Sequence, residues 1–454
     1  MEELTKNLAE RIVNIHYKDL PEKTVSMTKQ FIIDYLGNCI RGWTQKNMDI
    51  LYKTLGEGSG STEASLFNGK KRAAGSVLYA ALLNGAASHS LDFDDLHNPS
   101  IIHMACVTVP SALAIAEADG LSGKDILAAL VAGYEAGARI GEAVNPESYY
   151  FWHTTATCGT FASAVTAGHL KKFSAAQMVQ CMGTAGTQAA GLWEFLIDGA
   201  MSKTLHIGKA NFAGILSAQL TANGFTAAEK ILEGDKGFCC AMLKNPHWEK
   251  ISEDIGGFKI DNNSFKPFAC CKYTHPSVYA AQLLRKKYQL EPEQVAKIEI
   301  RSNRIVKQLV DNPNPKNPYG AKFSIQYCVA AMLKYGRLGI DEFTAENLAD
   351  AEISRIKQCF DIIVDPVLDE EYTRQPDRWA VQLTVTDKKG KEYVQFVEYP
   401  KGDPPNPMTW EETVDKFMNL AGPVYGKDVC SRLCRLIADL EQYDDFGRAL
   451  KACF

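Results

Sequence analysis

Ionisable side chains gather in a few stretches of otherwise apolar text, and chemistry is expected there, because burial shifts pKa values and makes acids and bases useful. The densest stretch is SHSLDFDDLHNPSIIH, residues 88 to 103. It holds His89, Asp92, Asp94, Asp95, His97 and His103 between two alanine-rich segments. The carboxylates of Asp92, Asp94 and Asp95 repel one another unless some face water, one is protonated, or imidazolium groups compensate. An acid beside an imidazole can exchange a proton with a substrate, which is the requirement of general acid–base catalysis. A metal centre would be expected to show helical pair spacing such as HxxxH, or a calcium-type loop with a glycine and regular oxygen ligands; DFDD has neither, and no metal is expected.

Three further stretches follow the same pattern. In FWHTTATCGT (151 to 160), His153 sits between aromatic residues and the start of a small-residue helix. Thr154, Thr155 and the amides beyond them can cradle a carboxylate at a helix N-terminus. In 184 to 211, Lys203, His206 and Lys209 recur every third residue in a glycine-flanked loop between helices, so they share one face if the segment is helical. Cations there would offset the acids at 92 to 95 and hold substrate carboxylates. KPFACCKYTHP (266 to 276) brings Lys266, Lys272 and His275 to a domain junction, a place that ligand pockets favour. No nucleophile elbow, P-loop or dinucleotide-binding glycine fingerprint is present.

The elements that must position these residues fall into two textures. Up to about residue 260 the text reads as helix, with apolar positions three and four apart over 22 to 40. Helices at 73–89, 105–119, 124–143, 157–170, 176–192 and 208–223 are rich in alanine and glycine, so they should pack closely and lie deep. Ser122-Gly123 precedes one of them, and Ser174 reads as the N-cap of another. After 260 the spacing changes. AKIEIRS (296 to 302), RWAVQLTVT (378 to 386) and KEYVQFVE (391 to 398) alternate as strands, the last two joined as a hairpin by DKKG. Helical stretches at 275–288, 322–335 and 344–359 lie among them. PKGDPPNPM (400 to 408) has turn character, and helix resumes at 409–419 and 427–453. The expectation is a mainly α protein. A large all-helical domain spans 1–260 and is completed by 400–454, and a smaller α+β lid domain, 261–399, is inserted into it.

Bulk properties narrow the function. A chain of 454 residues exceeds the size at which one core stops growing. Its 46% hydrophobic and 23% charged residues are globular values, and its net charge of −5 argues against nucleic acid as a partner. No apolar run is long enough for a membrane span. The N-terminal segment reads as an amphipathic helix, not a targeting peptide. Thirteen scattered cysteines without a CxxC motif read as reduced thiols in the cytoplasm.

Taken in order, HSLDFDD, IIHMACVTVPSALAIAEA, HTTATCGTFASA, GTQAAGLWEFLIDGAMSKTLHIGKAN, GFTAAEKILEGDKGF, KPFACCKYTHP, AKFSIQYCVAAML and YPKGDPPNPMTWEE resemble the MmgE/PrpD family over nearly the whole chain. That family includes 2-methylcitrate dehydratase, cis-aconitate decarboxylase and iminodisuccinate epimerase. The resemblance implies a helical domain built from both ends of the chain, an α+β lid, a homodimer, and no cofactor or metal. It also implies an active site of Asp92, His103, His153, Lys203 and His275, with His97 and Asp95 as less certain matches; His97 and, from its own stretch, Lys272 are further substrate-binding candidates. His103 and His153 are then the proton-transfer groups, Asp92 orients or tunes an imidazole, and Lys203 and His275 hold substrate carboxylates. Leu96 stands where the decarboxylase-like pattern has threonine, Leu309 falls where it has tyrosine, and His103-Met104-Ala105 replaces its HPS. The first two departures weaken a decarboxylase assignment, the third points to a substrate other than that of the best-known members, and the expectation is a hydro-lyase acting on a small tricarboxylate such as 2-methylcitrate. A decarboxylase, an epimerase and a non-catalytic carboxylate-binding relative are the alternatives.

Overall fold

The computed structural model describes residues 3–55, 61–70, 73–195, 200–375 and 378–454. Part of the GLWEFLIDGA motif, 196–199, thus lies outside the described residues. The chain is mainly α-helical and divides into two compact units, Met1–Asn263 with Thr409–Phe454, and Ser264–Met408.

In the first unit seven helices matter for the site: α1 (Glu22–Gly42), α2 (Val77–His89), α3 (Ala105–Asp119), α4 (Gly123–Val144), α5 (Thr154–Leu170), α6 (Ser202–Ala222) and α7 (Trp410–Tyr425). Their starts follow local chemistry. Ser76 accepts from Tyr79 N at the head of α2. Ser122 with Asp125, and Thr409 with Glu412, form capping boxes at the heads of α4 and α7. α6 packs on α2, α3 and α5, α3 also packs on α2 and α5, α4 packs on α5, and α1 lies between α2 and α7. Small residues set these approaches: a Cβ on Gly85 would collide with the Asn211 amide, and one on Gly214 with the Ser163 hydroxyl. Between the helices runs a buried polar chain. Ser111 Oγ lies 2.7 Å from Ser163 Oγ and donates to Asn211 Oδ1 at 2.8 Å, and Asn211 Nδ2 donates to Cys106 O at 2.9 Å. Each of these buried groups is satisfied, so α3, α5 and α6 are held in one register.

This unit is not wholly helical. β1 (Ala64–Ser65) and β2 (Ala74–Gly75) form a short antiparallel ribbon ahead of α2. Strands of two residues leave no periodic trace in a sequence. No helix among the described residues is long and apolar enough to cross a membrane.

The second unit carries a four-stranded sheet of order β4–β3–β5–β6, built from β3 (Val295–Ser302), β4 (Phe360–Val364), β5 (Val381–Asp387) and β6 (Glu392–Val397). The predicted hairpin is present, with Val381 opposite Val397 and Thr386 opposite Glu392. β4 pairs in parallel with β3 and was not legible. The expected helix over 344–359 instead breaks at Asp350, which caps a helix of Ala351–Lys357, and the apolar run FDIIV becomes the edge strand. Segment 400–408, expected to rejoin the helical domain, lies in the second unit. Phe265 N donates to Gly402 O at 2.8 Å, and Lys272 Nζ lies 2.5 Å from Asp403 Oδ1.

Candidate active site

The acidic stretch forms the connection from α2 to α3. His89 is the last residue of α2, and the chain then turns through Asp92 at φ +54° and Ile101 at φ +53°. Left-handed backbone is tolerable for aspartate but costly for β-branched isoleucine, so the rest of the unit must hold this loop in place. It does so at several points. The Phe93 carbonyl accepts from Lys416 Nζ of α7 at 2.7 Å and from Asn38 Nδ2 of α1 at 3.3 Å. The same ammonium lies 2.6 Å from Asp34 Oδ1. His97 and Ile102 pair through both backbone groups. Asp95 accepts from Ala105 N at 3.1 Å, Tyr134 OH at 3.0 Å and Asn263 Nδ2 at 2.7 Å, so it caps α3 and fixes its first turn. Burial, reinforced by Asp94 and Asp34, pushes the Asp95 carboxyl up to about 8.

Asp94 is the hub of the cluster. One oxygen, Oδ2, lies 2.7 Å from His89 Nδ1 and 3.3 Å from His103 Nδ1. Burial alone would raise this carboxyl, but the imidazoles of His103 and His89 outweigh it and hold it well below the usual carboxylate range. Burial also lowers His89 to about 4, which the nearby Asp94 only partly opposes. His89 is therefore a neutral imidazole that donates to a carboxylate anion. Its Nε2 is buried without a hydrogen-bond partner among the described residues.

His153 immediately precedes α5, and its ring lies 5.7 Å from that of His89 between centroids. Its Nδ1 is 3.3 Å from His206 Nδ1, so one of these two nitrogens donates and the other accepts. Burial, with His89, Lys203, His206 and His103 adding to it, holds His153 well below the usual imidazole range. Burial and the ammonium groups of Lys209 and Lys203 lower His206 to about 4. Trp193 and Phe195 wall this side, with ring centroids 4.7 and 6.3 Å from His153. The stretch containing Lys203, His206 and Lys209 is the opening of α6 and not a loop. Lys203 Nζ reaches Asp92 Oδ1 at 3.1 Å, and Lys209 Nζ donates to Gln188 O at 2.7 Å.

Asp92, His103, His153 and Lys203 thus come together around His89 and Asp94. His97 belongs to a different set of contacts. Its Nδ1 lies 2.8 Å from Ser100 Oγ, its Nε2 faces Glu142 at 3.8 Å, and burial lowers it to about 3. These contacts give it a role inside the loop. Thr154 and Thr155 also differ from the expected carboxylate cradle. Thr154 Oγ1 donates to Ile101 O at 2.7 Å, and Thr155 Oγ1 accepts from His103 N at 3.2 Å, so both hydroxyls pin the loop that carries His103. Lys272 and His275 belong to the second unit. Lys272 is buried, and its ammonium is engaged by Asp403 and by Phe265 O at 3.3 Å. His275 opens the helix His275–Tyr288, with Nε2 3.2 Å from Cys270 O. The central place of Asp94 with His89 and the aromatic wall of Trp193 and Phe195 are not among the features expected from sequence. The motif GLWEFL held the second of these signals.

Donor atoms of His89, Asp94 and Cys106 lie within 4.8 Å of one another. Burial raises the Cys106 thiol, which donates to His103 O at 3.2 Å, and the neighbouring Asp94 oxygen already serves two imidazoles. A protonated thiol and a carboxylate shared by two rings fit a metal centre poorly.

Buried acids and imidazoles at the meeting point of small-residue helices define a mainly helical protein with an ionisable cluster in its interior. Family models show which one: residues 6–251 match the MmgE/PrpD N-terminal domain and 268–442 the MmgE/PrpD C-terminal domain, and the chain belongs to the MmgE/PrpD family. Among its relatives, the cis-aconitate decarboxylase of Homo sapiens is 25% identical over 461 residues, covering 98% of this chain and 93% of that protein. The cis-aconitate decarboxylase-like protein oryM of Aspergillus oryzae is 26% identical and covers 82% and 81%. The 2-methylcitrate dehydratase of Salmonella typhimurium is 27% identical, over only 34% and 33%.

Proposed function

We propose that this protein is a cofactor-independent lyase of the hydro-lyase type, acting on a small tricarboxylate such as 2-methylcitrate. The observation that carries the reading is the pair of imidazoles, Asp94-linked His103 and His206-linked His153, packed around His89 with the Lys203 ammonium at the same cluster. Elimination needs a base for the proton next to a carboxylate, a hydrogen-bond donor for the departing hydroxyl, and a cation for the charge that builds on the carboxylate. His103, beside the Asp94 anion, is suited to take the proton, since the carboxylate stabilises the imidazolium that forms. The neutral His153 offers an N–H to the departing oxygen. The proton returns to the leaving hydroxide as water, a double bond forms, and the imidazole is regenerated. Lys203 holds a substrate carboxylate, and Asp92, paired to it, sets its position. His275 and Lys272 remain proposed substrate contacts from the second unit, Lys272 the less favoured because Asp403 already engages its ammonium.

A second reading, a cis-aconitate-type decarboxylase, is favoured by the names of the relatives that align over nearly the full length. One experiment separates the readings: a proton NMR screen of purified protein against citrate-like acids and amino-dicarboxylates in deuterated water. Conversion to an unsaturated acid with water loss supports the hydro-lyase, seen as an allylic methyl singlet from 2-methylcitrate or a vinyl proton from citrate. Loss of a carboxyl group with one deuterium gained supports the decarboxylase, and bare exchange supports an iminodisuccinate-type epimerase. Binding without any turnover would leave a non-catalytic carboxylate-binding relative.

The proposal also includes a homodimer in a reducing, cytoplasmic compartment. Support comes from the resemblance, from buried thiols such as Cys106 and Cys158, and from exposed Tyr150 and Phe151 beside the site (81% and 64% accessible). Light scattering of the purified protein tests the dimer, and a monomer at micromolar concentration refutes it.

A further inference from the structure

We propose that Asp94 is a positioning residue for His103, and that His89 tunes it by competing for the same carboxylate oxygen. The inference rests on His103 being the proton-transfer group of the site.

Three observations carry it. Asp94 is buried, and its Oδ2 meets both imidazoles at their Nδ1 atoms, at 2.7 Å for His89 and 3.3 Å for His103. The His103 contact is a charge contact at ion-pair distance without hydrogen-bond geometry, since its Nδ1 has no hydrogen-bond partner among the described residues; the field of the anion there favours a proton on Nδ1 and leaves Nε2 as the basic atom. The two rings lie edge to face with centroids 4.7 Å apart, so neither can rotate away without disturbing the other. Finally, His89 Nε2 is buried without a hydrogen-bond partner among the described residues. That places the single proton of a neutral His89 on Nδ1, where Asp94 accepts it, because an Nε2–H would be left buried without an acceptor.

The carboxylate therefore divides its charge between a short contact to a ring that stays neutral and a longer one to the ring that must gain and lose a proton. The surroundings of His103 are consistent with this. Asp94 and His89 face it from the loop and from α2, the Cys106 thiol of α3 donates to its carbonyl, His153 approaches from α5, and Lys203 of α6 lies across the cluster paired with Asp92. Among these groups Asp94 is the anion in direct contact with the ring, whereas the charge of Asp92 is offset by Lys203.

The test reads the ring itself and needs no substrate. Full-length protein carrying 13C-labelled histidine is titrated by NMR, with His103 assigned from the signal that H103Q removes. In D94N the His103 pKa should fall by about one unit or more, the size expected when an adjacent charge is lost. In H89Q it should rise, by about half a unit, as Asp94 is freed for His103; the opposite signs are the signature. D94N should also lower kcat by about a hundredfold or more while KM changes little. A His103 pKa that stays put in D94N, or falls in H89Q, overturns the proposal. If D94N does not fold, H89Q alone decides by the sign of its shift. A purely structural Asp94 would lower the melting temperature and leave the His103 titration in place. Were the NMR shifts to appear while no polycarboxylate is turned over, the proposed activity would fail and this coupling would stand.

Discussion

Lys416→Met should unfasten the loop that carries the acids. In the folded protein the Lys416 ammonium lies 2.6 Å from Asp34 Oδ1, 2.7 Å from Phe93 O and 3.9 Å from the centre of the Phe93 ring. Its side chain is 6% accessible and that of Asp34 is fully buried. Methionine fills the same volume but removes the ammonium from the buried Asp34 carboxyl. Breaking one side of such a pair costs about 3–5 kcal/mol, whereas replacing both partners by neutral groups is often nearly neutral. The Phe93 carbonyl would keep only the 3.3 Å bond from Asn38. For a unit of this size the loss corresponds to a melting temperature roughly 5–10 °C lower by scanning calorimetry. The double variant Asp34→Asn/Lys416→Met should recover most of it. Activity should fall in the single variant more than stability alone explains, because Asp92 and Asp94 flank Phe93. A single variant that melts within 2 °C of wild type, or a double variant no better than the single, would refute the argument that a buried ion pair clamps this loop.

Other consequences follow from the same geometry. His169, whose Nε2 donates to Ile15 O at 2.9 Å, is lowered to about 4 by burial, so its stabilisation is full above the unfolded value near 6.5 and is lost as the pH falls. Stability should therefore drop by about 1.4 kcal/mol per pH unit from this group over that window, about 3 kcal/mol in all, and His169→Gln should flatten urea-denaturation stability against pH by one proton. Gly85→Ala pushes a methyl into the Asn211 amide and should cost about 1–3 kcal/mol in the same assay; no change would show that α2 and α6 can move apart freely. Lys203→Met should raise KM at least about tenfold for any polycarboxylate that is turned over, since a charge-assisted hydrogen bond contributes about 1.5–3 kcal/mol; an unchanged KM removes Lys203 from substrate binding.

What the sequence determined by itself is local. Small-residue helices, their serine caps and the hairpin at 381–397 were legible because propensity, capping and alternation act within a few residues. So was the gathering of acids and histidines at 88–103, since ionisable residues in apolar text stand out at once. Tertiary structure decided what each of them does. Asp92, Asp94 and Asp95 lie within four positions and look alike in text, yet one pairs with Lys203, one bridges two imidazoles and one caps α3. Their partners come from as far along the chain as Lys203 and Asn263, and a side chain's direction at φ +54° follows from the fold, not from its neighbours. His97, a further candidate in the same stretch as His103, turns instead toward Ser100 and Glu142. β4 was invisible because a five-residue apolar run takes its structure from the strand beside it. Spacing along the chain located the ionisable groups, and three-dimensional packing assigned each one its partner and hence its charge.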